Sequence, residues 1–415
     1  MYSVYVRNYS EEGTFAAVER DLDRIKNLGV DIIWFMPIHP VGEKAKKGEL
    51  GSPYANKDYR AINSEFGTME DFKSVVNAIH EKGMKCIIDV VYNHTSPDSW
   101  LVENHPEFFF RKPDGSMGNH VGDWTDIVDL DYNNQDLWDY QIESLKMWAG
   151  IVDGFRCDVA PLIPIEFWKR ARKEVAEVNP DCLWLSESVE PEFITYLRSE
   201  GLVAHSDCEM YQAFDMCYDY DIHKIFRNYA DGKIPLSTYT DRVNLQEAIY
   251  PANYVKLRYL ENHDQDRAAS FIKTKEELEN WTAFIYFQKG MTLIYNGQEM
   301  ADANLPDLFN KDVVNWNTGI DFTELMKKLY TFKKNPILTN STYSIKAFDE
   351  DDIAVASHVS KEGKLIGIFS FKAKEADVEV ELEDGNYINL IDDSVVTVAD
   401  GKLHCAGKPI IFEVK

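Results

Sequence analysis

The sequence predicts an α/β chain built as a (β/α)8 TIM barrel, and three observations predict it. Short apolar runs alternate with amphipathic helical stretches through residues 1–335, as parallel strands joined by crossover helices require. Four of those runs end in polar clusters: Asp89-Val-Val-Tyr-Asn93-His94, Gly154-Phe-Arg156-Cys-Asp158, Ser186-Glu187-Ser188 and Glu261-Asn262-His263-Asp264. Charge gathered at the carboxyl ends of successive buried strands is where such a barrel keeps its chemistry.

The elements follow in order. A first strand is expected over residues 2–7, then a helix over 15–28 with Val18, Leu22, Ile25 and Leu28 on one face, ended by Gly29. The second strand, 31–36, stops at Pro37, and a helix over 69–82 closes on Gly83 before the third strand at 84–88. The fourth strand is expected at 151–156, a helix at 165–177 and the fifth strand at 183–185. The sixth falls within 208–218, the seventh at 255–260 and the eighth at 292–295. Between His94 and Asp129 no crossover helix is legible; Pro97, Pro106, Pro113-Asp-Gly115, Gly118 and Gly122 mark an irregular stretch instead. A connection that long reads as a short inserted module. After Asn335-Pro336, short alternating strands at 353–358, 365–371 and 378–382 are separated by Glu362-Gly363, Asp384-Gly385 and Asp400-Gly401, which predicts a C-terminal antiparallel β-sandwich. The expected domains are therefore a barrel of 1–94 and 129–335, a module of 95–128 and a β domain of 336–415.

Composition narrows the function. The chain has 415 residues, 45% hydrophobic and 13% aromatic, enough for a large core. Its 44 Lys and Arg against 70 Asp and Glu leave a formal charge of −26. That balance repels phosphate backbones and anionic lipid, so neither nucleic acid nor a membrane is the expected partner. The six cysteines form no CxxC pair, and Cys86, Cys157 and Cys182 lie in or at the start of expected strands as small buried hydrophobes. No signal-peptide pattern opens the chain, and a reducing, cytoplasmic setting is expected.

Asp158 and Glu187 would end adjacent strands. Two nearby carboxyls, one ionised and one protonated, suit cleavage of a glycosidic bond. Arg156 lies two residues before Asp158 and so faces the same side, where its guanidinium keeps Asp158 ionised. Asp264 adds a third carboxylate, which either raises the pKa of Glu187 or holds sugar hydroxyls. The competing reading of these charges is an ion-pair network on the barrel rim. His94 and His263 could bind hydroxyls as neutral donors, and neither belongs to a close His pair of the zinc-hydrolase kind. Among the aromatics only Tyr54 is taken as a sugar platform, because its loop follows the second strand directly; Tyr92, Trp124, Trp184 and Phe108–Phe110 are assigned to the core.

At these residues the chain resembles the α-amylase family of retaining glycoside hydrolases. The clusters at Asp89–His94, Gly154–Asp158, Glu187 and Asn262–Asp264 match four of its motifs, and Asp129-Leu-Asp131-Tyr-Asn-Asn134 resembles a fifth. Tyr54 with Asp58 and Tyr59 resembles its tyrosine loop. The resemblance implies that Asp158 is the nucleophile, Glu187 the acid/base and Asp264 the transition-state stabiliser. It also implies that Arg156 orients the nucleophile, that His94, His263 and Tyr54 hold the reacting glucose, and that Asp89 organises the site from beneath. Val159-Ala-Pro161-Leu162 departs from the Lys-His pair that many relatives carry after the nucleophile. Asn93 and Asp129 match positions that often bind calcium; two oxygen ligands do not make a site for an ion that wants about six to eight. No cofactor is required, and calcium stays open.

The expected activity is hydrolysis of α-1,4-glucosidic bonds in maltodextrin, starch or glycogen-type α-glucans through a covalent glycosyl-enzyme. The alternative is a 4-α-glucanotransferase or an exo-acting α-glucosidase on the same scaffold. The resemblance favours a monomer, since no carbohydrate-binding domain of the dimeric relatives precedes the first strand. Two rivals fit less well: a non-catalytic binding subunit typically lacks one of the three carboxylates, and a phosphorylated-sugar enzyme would want a basic residue where Asn296-Gly-Gln-Glu299 follows the eighth strand.

Overall fold

The computed structural model describes residues 1–414, and Lys415, the end of the expected β domain, lies outside the described residues. The chain has the (β/α)8 barrel architecture with a C-terminal antiparallel β domain, and it divides into two compact units.

The first unit comprises Met1–Lys26, Val30–Tyr218 and Pro306–Val314. It holds β1 (Tyr2–Val4), β2 (Ile32–Phe35), β3 (Lys85–Val90), β4 (Gly154–Cys157), β5 (Leu183–Ser186) and β6 (Met216–Tyr218). These pair in parallel in the order β6-β5-β4-β3-β2-β1. They are buried along nearly their whole length, as strands covered on both faces are. Gly154 is where β4 comes closest to β5: a Cβ there would lie 2.3 Å from the Leu183 carbonyl oxygen, so only glycine allows this pairing.

Two expected elements are corrected. β1 ends at Val4, and residues 6–9 form a turn of helix instead. The cause is tertiary: Arg7 bonds Glu65 at 2.9 Å and the Gly51 carbonyl at 2.9 Å, and Asn8 bonds the Asp307 carbonyl at 2.8 Å. The helix expected over 15–28 is two, Phe15–Arg20 and Leu22–Asn27. It breaks at Asp21, whose N–H turns back to the Val18 carbonyl while its carboxylate takes Arg24 at 2.7 Å. A fifteen-residue helix, Gln135–Ala149, was not anticipated. It leads from the inserted stretch to β4.

That stretch contains one short α-helix, Trp100–Asn104, followed by a 3-10 turn, Pro106–Phe108, and its two ends pair as an antiparallel ribbon, His94–Thr95 against Val128–Asp129.

The second unit comprises Asn27–Gly29, Asp219–Leu305 and Asn315–Lys415. It contributes β7 (Lys256–Arg258) and β8, which is split into Met291–Thr292 and Ile294–Tyr295. Its tail forms two four-stranded antiparallel sheets. Ile353, Ile366, Ile368 and Phe412 of one sheet share a core with Val378, Val398, Leu403 and Cys405 of the other, which is the sandwich arrangement.

Candidate active site

The strand ladder places the first set of site residues. Asp89 on β3 is in register with Arg156 on β4. The ladder then runs one residue beyond the strands: the Asp158 N–H donates to the Val90 carbonyl at 3.0 Å, and the Glu187 N–H to the Cys157 carbonyl at 3.0 Å. Side chains alternate along a strand, so Arg156 and Asp158 share a face.

Arg156 is the hub. Its Nη1 lies 2.9 Å from Asp89 Oδ1 and 2.9 Å from Asp158 Oδ1, and its Nη2 lies 2.6 Å from Glu187 Oε1. Arg156 and Asp89 have no exposed side-chain surface, and Asp158 and Glu187 keep 8% each. The guanidinium also sits 5.2 Å from the Trp34 ring centroid, 5.6 Å from that of Tyr54 and 5.7 Å from that of Tyr218. Burial opposes a charge here, but the carboxylates of Asp89, Glu187 and Asp158 outweigh it and hold Arg156 well above its ordinary pKa. A buried cation touched by three acids stays a cation.

The remaining donors in this unit surround that hub. Tyr54 donates its phenol to Asp89 Oδ2 at 3.0 Å. Tyr59 lies 2.7 Å from the Val91 carbonyl and 2.9 Å from that of His94, fixing the backbone from which His94 projects. Burial lowers the His94 pKa, partly offset by Asp129 and Asp126, so the imidazole is neutral near pH 7 and suited to bonding hydroxyls. Val159 adopts a left-handed backbone (φ 36, ψ 41) and donates its N–H to Glu187 Oε2 at 2.7 Å. The residue after Asp158 therefore also orients Glu187.

The first unit thus brings together Tyr54, Asp89, His94, Arg156, Asp158 and Glu187. His263 and Asp264 belong to the second unit. There the Asp264 N–H donates to Asn262 Oδ1 at 2.9 Å, Asn262 donates to Tyr220 at 2.9 Å, and His263 Nε2 lies 3.0 Å from Asp264 Oδ2. The Asp264 side chain keeps 41% of its surface exposed. Glu261, from the same cluster, is structural: it pairs with Arg267 at 2.8 Å and accepts the Ala268 N–H at 2.7 Å.

Two results were not legible beforehand. Trp124 is not core: it is partly exposed and its ring leans on His94 with centroids 5.6 Å apart. Tyr92 and Trp184 are buried as expected. Asn93 and Asp129, the residues that calcium would use, offer few oxygens to that ion, although Asp129 Oδ1 is buried without a hydrogen-bond partner. Asp129 Oδ2 is taken by two bonds from His120, backbone N–H and Nδ1, both at 2.7 Å. The cavity they border, about 290 Å³, is otherwise walled largely by Val121, Leu130, Leu162, Pro164, Leu197 and Leu202. Calcium wants about six to eight oxygens, and among the described residues no group of three or more His, Cys, Asp or Glu is placed to hold a metal.

A (β/α)8 barrel whose strand ends gather carboxylates about one buried guanidinium defines a class, the barrel glycoside hydrolases. Residues 5–115 and 120–343 match the alpha amylase catalytic domain and residues 344–412 the bacterial alpha amylase C-terminal domain, so the chain belongs to the alpha-amylase family. It is similar to an alpha-amylase from Lactobacillus plantarum, with 47% identity, a TM-score of 0.97 and coverage of 100% of this chain and 98% of that one. It is also similar to the noncanonic maltogenic alpha-amylase AmyB of Thermotoga neapolitana, with 33% identity, a TM-score of 0.89 and coverage of 100% and 97%. Among curated proteins it is 27% identical to an alpha-1,4-glucan:maltose-1-phosphate maltosyltransferase of Rhodospirillum rubrum over 79% of this chain and 49% of that protein. The chain spans about half the length of the first curated relatives it matches.

Proposed function

We propose that this protein is a retaining hydrolase of α-1,4-glucosidic bonds in maltodextrin and related α-glucans. The observation that carries the reading is the shared guanidinium: Asp158 and Glu187 contact different nitrogens of Arg156, the close carboxyl pair that a double displacement uses. In this scheme Asp158 attacks the anomeric carbon while Glu187 protonates the departing glycosidic oxygen. Glu187 then takes a proton from water, whose oxygen displaces Asp158 and restores the anomeric configuration. Asp264 is assigned to stabilise the oxocarbenium-like transition state through the ring hydroxyls, with His94, His263 and Tyr54 holding the reacting glucose. Asp89 keeps Arg156 and Tyr54 in place.

Within the chain, 1–94 and 129–335 are assigned to the catalytic barrel, 95–128 to the inserted module and 336–415 to the β domain. We assign no calcium to the site: His120 holds Asp129 Oδ2, which leaves only the Oδ1 atom for a cation. Five of the six cysteines are buried, as small hydrophobes are, which supports a cytoplasmic setting. The charge of −26 supports a neutral glucan rather than nucleic acid or a membrane as partner, and we assign a monomer.

A second reading is transfer of the glycosyl group to a sugar hydroxyl, favoured by the likeness to the maltosyltransferase. A time course on maltoheptaose separates the two. Progressive shortening supports hydrolysis; products longer than the substrate move the protein to the transferases.

A further inference from the structure

The loop of residues 41–51 forms a strap anchored at each end. The Gly42 N–H donates to the Ala55 carbonyl at 2.9 Å and the Glu43 N–H to Asp98 Oδ2 at 3.1 Å. At the other end the Leu50 N–H donates to the Phe309 carbonyl at 2.9 Å and the Glu49 N–H to Asn310 Oδ1 at 2.9 Å. From the middle of the strap, Lys47 reaches into the inserted module. Its Nζ lies 3.0 Å from Asp126 Oδ1 and 3.3 Å from the Asp123 carbonyl, so it grips the chain on both sides of Trp124. Asn119 holds the same turn from beneath, donating to the Trp124 carbonyl at 2.6 Å. The indole so fixed rests against His94, while the strap continues directly into Tyr54.

We infer that Trp124 is a second aromatic sugar contact, beside the one at Tyr54, and that Lys47 is the residue that positions it. The inference rests on the α-glucan reading and names the occupant as the glucosyl ring next to the one held by Tyr54 and His94. Three features carry it. A tryptophan used only for packing is normally buried, whereas this one keeps surface open beside a histidine that is 5% exposed. An indole face covers the apolar face of a sugar ring, and its value depends on being held before the ligand arrives. The clamp supplies that: a lysine fixed at both ends of a short turn removes the freedom that would otherwise be lost on binding. Asp126 is only 7% exposed in its side chain, so this ion pair is better shielded than an ordinary surface pair.

The test compares W124A, W124F, K47A and K47R on maltoheptaose, with kcat and KM measured separately and thermal midpoints recorded. W124A is expected to raise KM about tenfold with kcat changed far less, W124F to restore most of it, and K47A to raise KM in the same direction by about threefold. K47R keeps the cation and is expected to rescue. If W124A does not fold, K47A reads the same quantity, since it leaves the indole intact and removes only its clamp. An active wild type with KM unchanged in W124A, or in K47A where W124A does not fold, overturns the inference and leaves the α-glucan reading standing. A wild type inert on maltoheptaose overturns that reading, and this inference with it.

Discussion

The backbone N–H of Val159 donates to Glu187 Oε2 at 2.7 Å while Val159 holds a left-handed conformation. A β-branched residue pays steric strain there of about 1–3 kcal/mol. The position after the expected nucleophile is thus bent to aim an N–H at the expected acid/base. V159G relieves the clash and keeps the N–H. It is expected to raise unfolding stability by about 1 kcal/mol after the entropy of a glycine is counted, with kcat/KM within about tenfold of wild type. Urea unfolding checks the first and steady-state kinetics the second; a less stable V159G contradicts the strain account.

Arg156 contacts Asp89, Asp158 and Glu187 through two terminal nitrogens, a fork that lysine cannot reproduce. R156K is expected to lower kcat/KM by about a hundredfold or more. R156M leaves three buried acids without their cation and is expected to destabilise by about 3–5 kcal/mol. Activity near wild type in R156K would show that the hub is only structural.

Burial pushes His358 in the β domain down to about 3. Its Nε2 donates to the Phe287 carbonyl at 2.7 Å and its Nδ1 accepts from Ser341 at 2.7 Å, a neutral arrangement. Unfolded, the ring titrates near 6.5, so between these values the folded state binds fewer protons. The contribution is fully present above about pH 6.5 and is lost as pH falls toward 3. H358Q removes the titration. Its denaturation midpoints at pH 7 and pH 5 are expected to differ less than those of wild type, and an unchanged pH slope would contradict this.

His120 engages Asp129 Oδ2 through both its backbone N–H and its ring. EDTA followed by added calcium is expected to leave the thermal midpoint unchanged. H120A keeps the backbone bond but loses the ring bond to a buried carboxylate, at a cost of about 1–3 kcal/mol. A calcium-dependent midpoint in the wild type would contradict the assignment.

The barrel, and the gathering of Asp89, Asp158 and Glu187 about Arg156, were legible because their signals are short-range. Asp89, Arg156, Asp158 and Glu187 each close an apolar run, and a run's end is written in local sequence. The failures share a different cause. The apolar period through Val18, Leu22, Ile25 and Leu28 passes over the break at Asp21, so periodicity does not register it. The strand expected over 2–7 stops at Val4 because Glu65, Gly51 and Asp307 draw Arg7 and Asn8 into a helical turn. Trp124 was misassigned: the turn that carries it is held by Lys47, 77 positions earlier in the sequence, through Asp126 and the Asp123 carbonyl. No window of sequence contains that pair.

The central claim is that Asp158 forms the covalent glycosyl-enzyme. The most direct measurement is intact-protein and peptide mass spectrometry after incubation with 5-fluoro-α-D-glucosyl fluoride, which lets the first displacement proceed and slows the second. The account predicts a single glycosyl adduct on the peptide containing Asp158, absent from D158N, which keeps its fold and loses turnover. An enzyme that cleaves maltoheptaose yet carries no adduct, or carries it on another residue, would contradict the account.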